Sequence, residues 1–252
     1  MADEVRLQDA RRILGVEAHP DDLEVGAGAT LALLARRGAS IHFVSMTGGD
    51  RGTKDARATP ADVRRVRERE ARDAAAILGV DDVHLLEFED MCLGDTPESR
   101  GALATVIRDV RPDTLFCLDP LLTDESHPDH RAAGRIALAA AIFAAFPLTP
   151  FASGEPWSVS RIVLYGTDRP NLVVDVSETW DLKWQALAAH ASQFALEPLR
   201  RRADELAATA RNLAAHGGGG LCEPLRLVHP RETHMNIFRP MEMAGAWTKE
   251  VL

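Results

Sequence analysis

The sequence predicts an α/β domain, helices layered on both faces of a mostly parallel sheet, and three observations carry that prediction. Short apolar runs of strand length alternate with stretches of helical periodicity along the whole chain. The 252 residues are 46% hydrophobic and 27% charged, enough for one full-sized core and too balanced for disorder. No solenoid-type repeat appears, so residues 1–252 read as a single domain.

The elements follow in order. RILGVEA (12–18) is the first strand, and LALLARRG (31–38) closes the first helix, with Gly38 just past its end. SIHFVSM (40–46) is the second strand. Thr59, Pro60 and Asp62 supply a hydroxyl cap, a first-turn proline and a carboxylate near the positive end of the helix dipole, so a long helix runs from there through AAAILG. DVHLLEF (82–88) is the third strand, and a helix over roughly 98–110 leads to TLFCL (114–118), the fourth. Pro128 opens a helix through Phe143. RIVLYG (161–166) and NLVVDV (171–176) are later strands, followed by helices near 179–191 and 197–214. The glycine run 217–220 reads as a loop, with a lid as the alternative. This order makes the fold Rossmann-like.

Charge and cysteine usage exclude several classes. With 29 basic against 38 acidic residues the net charge is -9, and no long basic run is present, which argues against nucleic acid or an anionic membrane as partner. Cys92, Cys117 and Cys222 are too few and scattered for a disulfide framework or a cysteine zinc cluster and read as ordinary buried thiols in a reducing compartment. The charged start MADEVRLQDARR has no signal-like apolar core, and the alanine-rich stretch 132–146 is short and interrupted by Arg135, so a cytoplasmic location is expected.

AHPDDLEVGAGA (18–29) admits two chemistries. Its acidic-Gly-x-Gly portion resembles the turn of a dinucleotide or S-adenosylmethionine site, but the strand ends before His19, which places Gly26 and Gly28 inside the following helix. The second strand also ends VSMTGG, without the acid that would hold a ribose. The glycines are better read as letting the helix pack close to the sheet. The other chemistry is a metal site. His19-Pro20-Asp21-Asp22 follows strand one and His127-Pro128-Asp129-His130 follows strand four, so both lie at the carboxyl edge of a parallel sheet, where such folds bind ligands. Catalytic zinc takes three protein ligands of the His and carboxylate types that these loops offer.

AHPDDLE (18–24) with a distant HPDH (127–130) resembles the hallmark of the zinc-dependent N-acetylglucosaminyl deacetylases of the PIG-L or LmbE-like type. TGGDRG (47–52), RERE (67–70) before AAAILGV, and HASQF (190–194) also resemble family segments, so the likeness covers most of the chain. DPLLTDESHPDHRAAG (119–134) and RPNLVVDVSETWDLKWQALAAHASQF (169–194) look most like the diacetylchitobiose deacetylase branch. Relatives acting on mycothiol precursors carry a tyrosine two places before HPDH, where this chain has Glu125.

Carried over, the resemblance implies a zinc-dependent hydrolase, with Fe2+ as the alternative ion, that removes the acetyl group from N-acetylglucosamine in a small saccharide. It implies His19, Asp22 and His130 as metal ligands and Asp21 as general base. His127 becomes the oxyanion donor, acting as imidazolium, with Asp129 paired to it to keep it charged. Arg67 and Asp90 match sugar-contacting positions, although Arg67 could equally pair with Glu70 on a solvated helix face. His234 would reach the site from its own or a neighbouring subunit or be a surface histidine, as the branch forms trimers and hexamers. Glu24 is expected to orient the ligand loop and His190 to brace the core near the site, while His42, His84 and His216 are left structural or exposed. The apolar tail THMNIFRPMEMAGAW (233–247) is expected to be buried in a homo-oligomeric contact. Another amide substrate, a non-catalytic zinc protein and a cofactor-binding domain are the competing readings.

Overall fold

Strand β1 (Arg12–Glu17) is buried at every residue after Arg12, the pattern of a strand covered on both faces. It lies at the middle of a parallel array, its Gly15 in register with Phe43 of β2 (Ser40–Thr47) on one side and Phe116 of β4 (Thr114–Leu118) on the other. With β3 (Asp82–Phe88), β5 (Arg161–Tyr165), β6 (Leu172–Asp175), β7 (Cys222–Val228) and β8 (Thr248–Lys249), the sheet order is β3-β2-β1-β4-β5-β7-β6-β8. The first five are mutually parallel, and β7 runs antiparallel to both β5 and β6. The computed structural model describes residues 6–195, 198–203, 205, 207, 209, 220–233 and 248–249.

Chain direction reverses across β1. The crossovers through α1 (Asp22–Arg36) and α2 (Pro60–Leu78) step outward to β2 and β3, whereas α3 (Pro97–Val110) returns the chain to β4 and α4 (Pro128–Phe143) leads away to β5. Right-handed crossovers put these two pairs on opposite faces, and α5 (Trp180–Ala189) packs with α1 and α2. The loops after β1 and β4 therefore diverge from neighbouring strands and leave a crevice between them.

Local chemistry explains the helix starts. Thr59 and Asp62 form a reciprocal capping box on α2, with Pro60 in the first turn and Gly79 closing the helix at φ 80°. Thr96 and Ser99 do the same for α3, which starts one residue earlier than the sequence suggests. Gly26 faces the sheet: a Cβ there would stand 2.2 Å from the buried ring of Tyr165, whose hydroxyl donates to the Val16 carbonyl at 2.9 Å. At Gly28 the nearest atom is Lys183 Cγ at 3.5 Å, so only the first of these glycines is required for close packing.

Strand β7 is absent from the sequence reading because Pro224 interrupts it. The Leu221 and Leu225 carbonyls accept from β6-side residues Val176 and Asn171, so by alternation the Pro224 nitrogen faces the other side, where pairing with β5 stops at Arg226. No donor is wasted. Of the expected 197–214 helix, residues 198–203 are helical, and most of the rest lies outside the described residues, as do Gly217 to Gly219, His216, His234 and nearly all of the apolar tail. Among the described residues no helix is long and apolar enough to cross a membrane. Cys117 and Cys222 are buried as expected, but the buried reading is corrected at Cys92, which is exposed.

Candidate metal centre and active site

The loop after β1 is built around a strained residue. Asp21 stands at the N-cap of α1 with φ 126° and ψ -18°, a conformation that costs a non-glycine residue roughly 1–3 kcal/mol, yet its side chain makes no capping bond. Arg67 holds it instead. The guanidinium, 3% exposed, donates through Nη2 to Asp21 Oδ2 at 3.0 Å and to the Pro20 carbonyl at 2.5 Å, and through Nη1 to the Gly49 carbonyl at 2.9 Å. Gly49 has φ 57°, and a Cβ there would meet Arg67 Nη1 at 2.2 Å, which gives the TGGDRG segment its physical reason. The solvated-face reading of Arg67 is therefore corrected: Arg67 turns inward, and Glu70 accepts from the backbone N–H and hydroxyl of Ser192.

The adjacent carboxylate points the other way. Asp22 Oδ2 accepts from the Ala18 and His19 backbone N–H groups at 3.1 and 3.0 Å and lies 3.6 Å from His19 Nδ1, while Oδ1 lies 3.3 Å from His130 Nε2. Each of these rings has its other nitrogen on a carboxylate. His19 Nε2 is 3.2 Å from Asp90 Oδ1 and 3.4 Å from Asp129 Oδ2, and His130 Nδ1 is 3.1 Å from Glu125 Oε2. Carboxylate partners behind ligating histidines fix the ring and raise its basicity. Although burial opposes the charge, Asp22 and Asp90 lift His19 to about 10, and Asp22 and Glu125 lift His130 to about 9. Burial likewise works against ionisation of Asp22, but His130 and His19 hold it well below the ordinary carboxylate range. Asp21 behaves oppositely: burial and the neighbouring Asp22 raise it to about 7, with Arg67 and His190 pulling down. Two consecutive aspartates thus have separate electrostatic characters.

His127 caps α4, its Nδ1 accepting from the Asp129 N–H at 3.3 Å, and its ring stacks on His130 with centroids 4.5 Å apart. Burial and the His19 and His130 rings lower its pKa. With Nδ1 accepting from a backbone N–H, the ring nitrogen left for a substrate is Nε2. The Asp129 charge acts to raise the His127 pKa. Its buried carboxylate also accepts from the Met91 and Leu93 N–H groups at 2.7 and 3.1 Å and abuts His19, so it pins the loop after β3 to that histidine.

Asp90, 3% exposed, is placed against His19 and accepts from Arg51 N–H at 2.7 Å. Arg67 and Asp90 are each 3% exposed and stand beside Asp21 and His19 respectively. Glu24 meets the buried His190 at 3.4 Å rather than orienting the ligand loop. That task falls to Glu17, which the sequence reading missed. Its carboxylate accepts from Leu23 N–H at 3.2 Å and from the Ser45 hydroxyl at 2.5 Å. Glu125 was noticed only as a departure from tyrosine; its distance of five residues from His130 was the signal, since a carboxylate in a ligand loop commonly backs a histidine. Glu125→Gln should weaken metal affinity or turnover by roughly 10- to 100-fold, checked by competitive metal titration of the purified variant.

His19, Asp22 and His130 are of the donor types that suit a borderline divalent ion, and ring nitrogens of His19, His127 and His130 lie within 4.8 Å of one another. The donors fit a metal. His19, Asp22, His127, Asp129 and His130 lie in contact with one another at the ends of β1 and β4, and Asp21, next to Asp22 in the chain, is held on Arg67.

Comparison with known proteins agrees with this geometry. The family model for the GlcNAc-PI de-N-acetylases, PIG-L, matches residues 14–141. Diacetylchitobiose deacetylase from Thermococcus kodakarensis is 36% identical over 190 residues, covering 74% of this chain and 71% of that protein. The solved structure of N,N'-diacetylchitobiose deacetylase from Pyrococcus horikoshii, in complex with an inhibitor, superposes with a TM-score of 0.81 at 31% identity, covering 92% of this chain and 88% of that one. GalB, the 4-carboxy-2-hydroxymuconate hydratase from Pseudomonas putida KT2440, shares the fold at TM-score 0.75 and 25% identity, over 88% and 97% of the two chains.

Proposed function

The chain belongs to the PIG-L family of GlcNAc-PI de-N-acetylases, and from that premise we propose how its own residues remove the acetyl group from N-acetylglucosamine in a small saccharide such as diacetylchitobiose. The observation that carries the proposal is the split between the two aspartates, one facing both metal-side histidines and the other held apart on Arg67.

His19, Asp22 and His130 hold the metal, zinc in this reading and Fe2+ as the alternative. Asp22 is taken as the third ligand because its two oxygens each face one of the two rings. Such an ion supplies Lewis-acid polarisation and acidifies water to a pKa near ~7. Asp21 takes the proton from the attacking water, at a carboxylate poised near neutrality by burial, and delivers it to the departing amine nitrogen. His127 donates its Nε2 proton in a hydrogen bond to the acetyl oxygen as the carbon becomes tetrahedral, an interaction typically worth ~3 kcal/mol. Arg67 and Asp90 act through Asp21 and His19, by position. A single domain assembled as a trimer or hexamer through its apolar tail, with His234 contributing to substrate contact, completes the proposal on the strength of the sequence.

Purified protein should release acetate from diacetylchitobiose faster than from N-acetylated peptides. Dialysis against a chelator should abolish the activity and added zinc restore it. Equal rates on peptides would remove the sugar assignment, and activity untouched by exhaustive metal removal would remove the metal.

A further inference from the structure

At the opposite end of the sheet, the parallel pairing of β2 and β3 sets His42 beside Asp82 and Val44 beside His84. Strand alternation then places Asp82 and His84 on one face of β3. The two imidazoles stack with centroids 5.7 Å apart and planes 23° from parallel, and His84 Nε2 is 3.8 Å from Asp82 Oδ2. One ring nitrogen from each histidine and a carboxylate oxygen of Asp82 all lie within 4.8 Å of one another.

What the groups lack is as informative as what they share. His42 Nδ1 and His84 Nε2 are screened from solvent and have no hydrogen-bond partner, a cost of about 1–3 kcal/mol each when a buried polar atom is left unsatisfied. Asp82 Oδ1 is occupied by the Val83 N–H at 2.8 Å, which fixes the carboxylate and leaves Oδ2 toward His84. Arg72 and Asp109, one basic and one acidic, also stand near His84. His84 also lines an open cleft of about 650 Å3 whose wall includes Asp109 and Glu155.

We propose that His42, Asp82 and His84 form a second metal site, distinct from the catalytic crevice, for a borderline divalent transition ion such as zinc. Two imidazoles and one carboxylate are the donor set such ions prefer, and the remaining positions are open to water. Bridging the ring nitrogens and carboxylate needs them to close from separations of up to 4.8 Å to the spacing of ligands around one ion, a movement of at most roughly 1.5 Å. The ion clips edge strand β3 to β2. Since β3 leads directly into Asp90 and the loop pinned by Asp129, occupancy steadies the far end of the same strand.

The site is tested on the full chain with its catalytic ion in place, using zinc alone as probe. Metal analysis after equilibration with micromolar free zinc should show a second equivalent per chain in the wild type, and His42→Gln with His84→Gln should remove that equivalent while retaining the first and the deacetylase activity. Asp22→Asn should do the reverse, losing the catalytic ion and keeping the second. Zinc should also raise the melting temperature of Asp22→Asn, and should no longer do so when His42→Gln and His84→Gln are added to that variant. One equivalent in the wild type, or a second equivalent that survives loss of both histidines, overturns the proposal. Cobalt spectra provide a readout independent of folding yield: an imidazole-ligated component that persists in Asp22→Asn supports the site, and its absence there contradicts it.

Discussion

Asp21→Asn is expected to keep near-stoichiometric metal and lose roughly 10² to 10⁴ in turnover, the usual worth of a general base. Its side chain contacts Arg67 and none of the metal-side histidines, and an amide can still accept from the guanidinium, so the strained turn should survive. Asp22→Asn should lose metal and activity together. Its carboxylate faces His19 and His130 and accepts two backbone N–H groups, and a neutral oxygen is a much poorer ligand than an anionic one. Metal content and kcat measured on the same preparations separate the two. Zinc lost from Asp21→Asn but kept by Asp22→Asn would reverse the roles, and both variants remaining active would place the hydrolytic site elsewhere.

Gly26→Ala is expected to destabilise the fold by about 3 kcal/mol or more, the upper range for forced overpacking. The new methyl would stand 2.2 Å from Tyr165 Cδ2, and that ring cannot swing away while it is fully buried with its hydroxyl on Val16. Relief must come from tilting the first turns of α1, which carry Asp21 and Asp22, so metal affinity should fall as well. Gly28→Ala is the control. Its nearest contact is ordinary at 3.5 Å, and replacing a helical glycine gains up to about 1 kcal/mol, so this variant should match or exceed the wild type in a denaturant titration. Equal midpoints for both variants would show that α1 has no tight contact with the sheet.

Much of this was legible because it is local. Strand length, the Thr59 and Asp62 cap, and the two histidine motifs at strand ends are carried by neighbouring residues, and β1 through β6 fall where the apolar runs lie. Strand β7 was not, because Pro224 is tolerated only where the β5 ladder has already ended, a fact of tertiary pairing. The site shows the same division. The ligand types are in the motifs, but the partners behind them come from remote loops: Arg67 reaches Asp21 from α2, and Asp90 reaches His19 from beyond β3. Sequence likeness could mark Arg67 and Asp90 as belonging near the site, yet only the fold shows that their partners are protein groups. The tautomer of His127 depends on a single backbone N–H at a helix start, which no residue pattern announces.

The separation of the two motif loops bears on when the protein can acquire its metal. His19 and Asp129 are 110 positions apart, and β1 must wait for β4 before the two loops share a crevice, although β2 and β3 can already lie beside it. A nascent chain emerging from the ribosome therefore carries His19 and Asp22 long before it carries His130. During that interval the early loop has only two donors and holds an ion weakly. Capture by all three proposed donors must wait until residue 130, just past the midpoint of the 252, has left the ribosome, and an ion that dissociates slowly from the finished protein would record that β1 and β4 have found each other.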